Sequence, residues 1–310
     1  MIRTKLTVVI PLYNKAKHIL DTLESVLNER PKVAEVIVVD DGSSDEGPLL
    51  VKHAIATQAC YKAVKLIQQR NGGVSKARNT GIRYATGTHI VCLDADDQWL
   101  PGFCAEIHTL IHDFPNCRAF ATNYYKKHGD NWIEPKIRFP RPIEQNTALH
   151  NYFEISSRGD LPFNTGSICL ERTLLIEIGG FPENEPMGED QDVWAKTALK
   201  TAIAYSPKRL EVYILDADNR ACIHNPPKTE CPFSVRLLAA VESGAFDDND
   251  RIHVLRYTAT HLLTLAKSLI AAGDYQHARQ LLRDPRCKLL ALKKWWLMGM
   301  LVSRQLQLRA

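Results

Sequence analysis

Four short, largely apolar runs limit what this chain can fold into. Three of them occupy residues Leu6–Leu12, 36–39 and 89–93, and the fourth segment, Val64–Gln68, reads as a strand although Lys65 and Gln68 interrupt it. Runs without polar alternation are what strands look like when both of their faces are buried. Between them, residues 15–29, 48–60 and 74–85 carry helical patterning, with Ile19, Leu20, Leu23, Val26 and Leu27 on one stripe of the first. The order β-α-β-α-β-α-β predicts an α/β architecture, a mainly parallel sheet with helices on both faces. In such sheets ligands sit beyond the carboxyl ends of the strands. The chemistry is therefore expected just after Val39, Gln68 and Leu93.

Residues 115–170 are less regular, helical patterning returns at 189–200, and from about Phe233 the chain reads as nearly all helix. The candidate segments there are 237–241, 254–272, Tyr275–Leu282 and 289–306, with Gly273 as a C-cap. This suggests two domains, residues 1–230 and 231–310. Charge divides in the same way. Residues 231–310 hold 12 Lys/Arg and 6 Asp/Glu, whereas residues 1–230 hold 27 and 29. A basic tail on a slightly acidic body suits either an anionic surface or a solvated helix face.

No apolar run approaches the ~20 residues of a membrane-spanning helix. The first residues read as a buried strand and not as a secretory signal, so a cytoplasmic location is expected. None of the eight cysteines has CxxC spacing, which argues against zinc and fits a reducing compartment. Nucleic acid is not an expected partner.

Four motifs carry candidate chemistry. Asp40-Asp41-Gly42-Ser43-Ser44-Asp45 places adjacent carboxylates at a strand end. They either accept from nucleobase and ribose donors or close an Asx turn, with Asp45 capping the next helix. Asn71-Gly72-Gly73-Val74-Ser75-Lys76-Ala77-Arg78-Asn79 lets backbone approach a ligand closely and opens a helix whose first turn suits a diphosphate. In Asp94-Ala95-Asp96-Asp97, extended chain points Asp94 and Asp96 the same way. Such a pair calls for a hard divalent cation, Mg²⁺ or Mn²⁺. Glu189-Asp190-Gln191-Asp192 at a helix start has a dipole explanation when taken alone.

Together these motifs resemble family 2 glycosyltransferases, from about Leu6 to His224. The resemblance is carried by VVIPLYN, VDDGSSD, NGGVSKARNTGI, LDADD, NTGSICLER…GGFPE and GEDQDVW. It implies a GT-A fold, a mainly parallel Rossmann-like sheet with an α-helical C-terminal extension. It also implies a nucleotide-diphosphate donor, with UDP as the expected base, and a divalent metal, Mn²⁺ or Mg²⁺. Pro11, Tyr13, Asp40 and Asp41 would contact the nucleoside, and Asn71, Gly72 and Arg78 would hold the nucleotide. Asp94, Ala95 and Asp96 would form the DxD element, with Asp96 as main metal ligand beside Asp94. Asp190 of the Glu189-Asp190 pair would be the general base. His224 stands where many members have a histidine near the metal, although its flanks match loosely.

The resemblance thus implies an inverting hexosyl- or N-acetylhexosaminyltransferase acting on a glycan or lipid-linked acceptor in cell-surface polysaccharide or glycan synthesis. The alternatives are a sugar nucleotidyltransferase and a non-catalytic nucleotide-sugar binding module. The first expects a glycine-rich basic loop after the first strand, where this chain has Pro11-Leu12-Tyr13-Asn14. The second is disfavoured by the intact Glu189-Asp190 pair. Residues 287–310 carry Lys288, Lys293, Lys294, Arg304 and Arg309 without an acid, interleaved with Trp295, Trp296, Leu297, Leu301 and Val302. Either this segment contacts the inner face of an anionic membrane peripherally, or its aromatics pack inward and its charges face water.

Overall fold

A computed structural model describes residues 4–185, 187–218 and 227–307. The chain forms two compact units. One comprises Met1–His150, Leu161–Asn184 and Val193–Asn219, and the other Asn151–Asp160, Glu185–Asp192 and Arg220–Ala310. Elements run β1 (Leu6–Leu12), α1 (Ile19–Leu27), β2 (Glu35–Asp40), α2 (Gly47–Thr57), β3 (Val64–Gln68), α3 (Val74–Tyr84) and β4 (His89–Cys92). Then come β5 (Gln98–Trp99), α4 (Phe103–Asp113), β6 (Ala119–His128), β7 (Asn131–Ile133), β8 (Thr147–Leu149), α5 (Tyr152–Ser156), β9 (Ile168–Glu171) and α6 (Arg172–Glu177). The remainder are α7 (Glu189–Ala198), β10 (Ile203–Ile214), α8 (Pro232–Glu242), α9 (Asp248–Ala271), α10 (Tyr275–Leu282) and α11 (Ala291–Gln307).

In the first unit the described strands make one sheet in the order β3-β2-β1-β4-β9-β6-β10-β5, with β7 on β6 and β8 on β10. The first four strands are parallel, as their apolar runs predict. The other half is mixed. β9 runs antiparallel to both β4 and β6, while β10 is parallel to β6. The fold is α/β of the GT-A type, with its strictly parallel part confined to residues 6–92.

β1 is buried on both faces. Leu6, Val8, Ile10 and Leu12 join a core with Ile19, Leu23, Val26, Val51, Trp99 and Phe103. Val9 points the other way, under α3, where a Cβ on Gly81 would sit 2.2 Å from its Cγ1. That approach explains why α3 carries glycine at mid-length, despite the helix cost of about 1 kcal/mol. Chain order reverses between β1 and β4, so a crevice opens at their carboxyl ends. The loops after β1, β2, β3 and β4 all end at this edge.

The opposite edge is pinned by Glu35, which is 4% exposed. Its carboxylate accepts from Thr7 Oγ1 (2.8 Å), the Thr86 N–H (2.6 Å) and hydroxyl (2.9 Å), and Lys65 Nζ (2.9 Å). Burial raises its pKa, but Lys65, the Thr86 N–H and the two hydroxyls outweigh burial and bring it down to about 2. The unfolded value is about 4.3. The stabilisation is therefore present above about pH 4.3 and lost as pH falls towards 2. Glu35→Gln is expected to lower stability near neutral pH by about 2 kcal/mol, a deficit that vanishes near pH 2. Urea unfolding of both proteins across this range checks it.

The second unit is helical in its C-terminal part. α9 ends in a Schellman turn, with Gly273 at φ 80° and the Asp274 N–H on the Leu269 carbonyl at 2.8 Å. Asp274 then caps α10. Arg286, 7% exposed, makes paired bonds to Glu230 (2.7 and 2.7 Å) and bonds Asp284 (2.9 Å). No described helix is long and apolar enough to cross a membrane.

Candidate active site

The loop after β2 resolves its two acids into different tasks. Asp40 closes the Asx turn: its Oδ1 accepts from the Ser43 N–H (2.9 Å) and its Oδ2 from Gln68 Nε2 (2.9 Å). Asp41, 3% exposed, reaches the loop after β3. It accepts from the Gly72 N–H (3.0 Å), the Gly73 N–H (2.8 Å) and Gln69 Nε2 (2.7 Å). The Gly72 and Gly73 N–H groups thus face Asp41, just ahead of the first turn of α3. Gly42, at φ 76°, sits where a Cβ would come within 3.1 Å of the Asn71 nitrogen. The loop after β1 joins the same cluster. Asn14 Oδ1 accepts from the Ser44 N–H (2.8 Å), and Tyr13 stands 49% exposed after Pro11 and Leu12.

Arg78 is the anchor of α3. It is 3% exposed, its guanidinium donates to Asp94 Oδ1 at 2.8 Å, and it lies 5.0 Å from the centroid of the Phe181 ring. Asn79 places that ring. Its Oδ1 accepts from the Phe181 N–H (2.9 Å) and its Nδ2 donates to the Phe181 carbonyl (2.8 Å). The GGFPE stretch is thereby tied to the NGGVSKARN helix, a link between residues 102 positions apart.

The turn after β4 holds the paired carboxylates. The Asp97 N–H bonds the Asp94 carbonyl at 3.0 Å, and the carbonyl of buried Ala95 accepts from Thr22 Oγ1 at 3.0 Å. Asp94 faces Arg78. Asp96 faces Lys15, with Nζ and Oδ2 2.7 Å apart and side chains 12% and 14% exposed. Lys15 also donates to the Asp218 carbonyl. Asp97 turns inward, where its Oδ1 accepts from the Ile214 N–H (2.9 Å). Burial raises its pKa well above the carboxylate range, as do neighbouring Glu211, Asp96 and Asp94. Burial likewise raises Glu211, against Asn164, whose amide donates to both its oxygens (3.0 and 2.9 Å). Burial thus favours the neutral forms of Asp97 and Glu211.

Two carboxylates offering oxygen are the donor type that Mg²⁺ and Mn²⁺ prefer. Each faces a protein cation, so positive charge is stable beside both. Among the described residues no third Asp, Glu, His or Cys completes a cluster. His224 lies outside the described residues.

The Glu189-Asp190 pair belongs to the second unit, in the first turn of α7, where carboxylates suit the helix dipole. Gly188, at φ 89°, precedes it, and a Cβ there would sit 2.6 Å from the Phe233 ring. Asp190 Oδ1 accepts from the Gln191 N–H at 2.6 Å. The following residues are gripped from α8 and α9. Arg236 donates to Asp192 (2.8 Å) and to both oxygens of Glu185 (2.6 and 3.0 Å), and the Tyr257 hydroxyl donates to Gln191 Oε1 (2.9 Å).

Sequence reasoning missed Lys15, Phe181 and Asn79. Lys15 falls in the expected helical segment 15–29, but α1 begins only at Ile19, so Lys15 lies ahead of the helix.

A family model described as glycosyl transferase family 2 matches residues 7–179. An uncharacterised glycosyltransferase of Rickettsia conorii is 30% identical over 207 residues, 67% of this chain and 32% of that protein. Another, of Escherichia coli K12, is 32% identical over 130 residues, 41% of this chain and 37% of its own length. The chain spans about a third of the length of these curated relatives. Among solved structures, S. aureus TarS 1–349 in complex with UDP-GlcNAc superposes with a TM-score of 0.67 at 17% identity, covering 97% of this chain and 89% of that one. The mannosyltransferase PcManGT from Pyrobaculum calidifontis, in complex with GDP-Man and Mn²⁺, gives 0.56 at 20%, covering 98% and 87%. At these identities the structural likeness speaks for the fold.

Proposed function

The chain belongs to glycosyl transferase family 2, and on that premise we propose that it transfers a sugar from a nucleoside-diphosphate donor to an acceptor hydroxyl with inversion at the anomeric carbon. The observation that carries this reading is the Asp94/Asp96 pair at the carboxyl end of β4. Its two carboxylates face protein cations beside a loop that Asp41 holds closed.

In this reading the nucleoside lies against Pro11 and Tyr13. Asp41 keeps an acceptor site for a base N–H, since a carboxylate has about four lone-pair directions and the loop occupies three donors' worth. Asn71 and Gly72 border the nucleotide, and Arg78 orients Asp94. Asp94 and Asp96 would hold the divalent ion, with His224 as a further candidate. When bound, such an ion supplies positive charge to the leaving diphosphate. Asp190 accepts the proton of the acceptor hydroxyl as its oxygen bonds to the anomeric carbon and the bond from that carbon to the diphosphate oxygen breaks. One base on the face opposite the leaving group gives inversion, the logic that governs inverting glycosidases. Glu189 stands beside Asp190 in the first turn of α7.

UDP is the favoured base, supported by the UDP-GlcNAc of TarS, although the GDP-Man of PcManGT sits on the same fold. A hexosyl or N-acetylhexosaminyl donor and a glycan or lipid-linked acceptor in cell-surface polysaccharide synthesis complete the reading. A thermal-shift screen of UDP-, GDP-, ADP- and dTDP-sugars with Mn²⁺ and Mg²⁺ tests it. A UDP-sugar with metal is expected to raise Tm by several degrees, since saturation at 100 times Kd adds about 2.7 kcal/mol. If no nucleotide sugar moves Tm, the donor assignment fails.

A further inference from the structure

α11 carries its apolar residues on the side that faces water. Leu297 and Leu301 are buried, and Lys294, Met298 and Gln305 beside them are half-buried. At about 100° per residue, Leu292, Trp295, Trp296, Val302 and Leu306 fall within a sector of about 120° on the other side, shared only with Gly299 and Ser303. Those five are 90%, 67%, 55%, 49% and 61% exposed. A helix packed along one face ordinarily turns polar residues outward. Here the aromatics do not pack inward, and they form a continuous apolar stripe about 20 Å long. An exposed apolar patch of this kind marks an interaction site.

Charge identifies the occupant. Residues 287–310 contain five Lys/Arg and no Asp/Glu. Lys293 and Arg304 are exposed along one flank of the stripe, and Lys288 is exposed just before the helix. Upstream, Asp284 is engaged by Arg286 and lies near Lys294, on the half-buried side of the helix. Adjacent tryptophans, branched aliphatics and a one-signed basic flank are the composition of a helix lying in the headgroup plane of an anionic bilayer. The cores of protein–protein interfaces are instead depleted of lysine.

We propose that α11 is a membrane-surface anchor. Leu292, Trp295, Trp296, Val302 and Leu306 enter the acyl boundary of an anionic lipid bilayer, while Lys288, Lys293 and Arg304 meet its headgroups. This stands independently of the catalytic reading.

The test is flotation of the full chain with vesicles of phosphatidylcholine alone or with about 30 mol% phosphatidylglycerol. The protein is expected to float with the anionic vesicles and to bind neutral ones at least about tenfold more weakly, with binding falling as salt rises. Trp295→Ser with Trp296→Ser is expected to weaken binding about tenfold or more with an unchanged circular dichroism spectrum. Lys293→Gln with Arg304→Gln is expected to remove the preference for anionic lipid. The proposal is overturned if the wild-type chain stays unbound to anionic vesicles, or if the double tryptophan variant floats as well as wild type. It is also overturned if the stripe mediates self-association in the absence of lipid that the same variant abolishes.

Discussion

Asp190→Asn is expected to fold, bind donor and lose turnover by about 10²–10⁴, the contribution of a well-placed base. Asparagine has the same shape, and its side-chain oxygen can still accept from the Gln191 N–H that Asp190 engages at 2.6 Å. The start of α7 does not rest on residue 190 alone, because Tyr257 holds Gln191 and Arg236 holds Asp192. What is lost is the capacity to take a proton. The measurements are donor Kd by calorimetry and kcat by release of nucleoside diphosphate, with the donor found by the thermal-shift screen. A kcat within about threefold of wild type would remove Asp190 from the role of base. Loss of donor affinity together with turnover would point to a structural role instead.

Removing divalent cations with EDTA, or replacing Asp96 by Asn, is expected to abolish turnover and to weaken donor binding by about 100-fold or more. A diphosphate brought against Asp94 and Asp96 meets two carboxylates, and Arg78 and Lys15 balance those two without counting the phosphates. Lys15 sharpens the prediction, because its ammonium contacts the Asp96 oxygen that a metal would take. Binding must displace that contact, so Lys15→Gln is expected to tighten Mn²⁺ binding about tenfold, a difference of ~1.4 kcal/mol. Paramagnetic resonance titration of Mn²⁺ reads this without any assay of transfer. Full turnover in chelator would sink the metal assignment, and an unchanged Mn²⁺ affinity in Lys15→Gln would sink the displacement.

What could be read from the sequence was whatever depends on local periodicity. Residues 6–12, 36–39 and 90–93 are buried almost throughout, so they appear as apolar runs, and the ends of the last two mark where Asp41 and Asp94 belong, whereas Val64–Gln68 is an edge strand with Lys65 and Gln68 exposed. The mixed half of the sheet was not legible. β10 pairs with β6 across irregularities between Ser206 and Glu211, and it carries Lys208 and Arg209 within a strand. No two-residue period survives that. Buried Glu211 has its amide partner at Asn164, 47 residues away, and a single sequence carries no mark of such a pairing. The same limit hid Lys15. Its charge is local, but its partner Asp96 is 81 residues on. For α11 the periodicity was legible and the orientation was not, since Leu297/Leu301 and Trp295/Trp296 each define an apolar stripe. Only packing decides which one is covered.

The closure of the Gly72–Gly73 turn by Asp41 has a kinetic consequence. A loop held shut by its own neighbour's carboxylate needs no folding step when a ligand lands on it. If nucleotides bind here as proposed, their encounter rates are set by diffusion and charge and vary little from base to base. Discrimination among them lies in how long each stays.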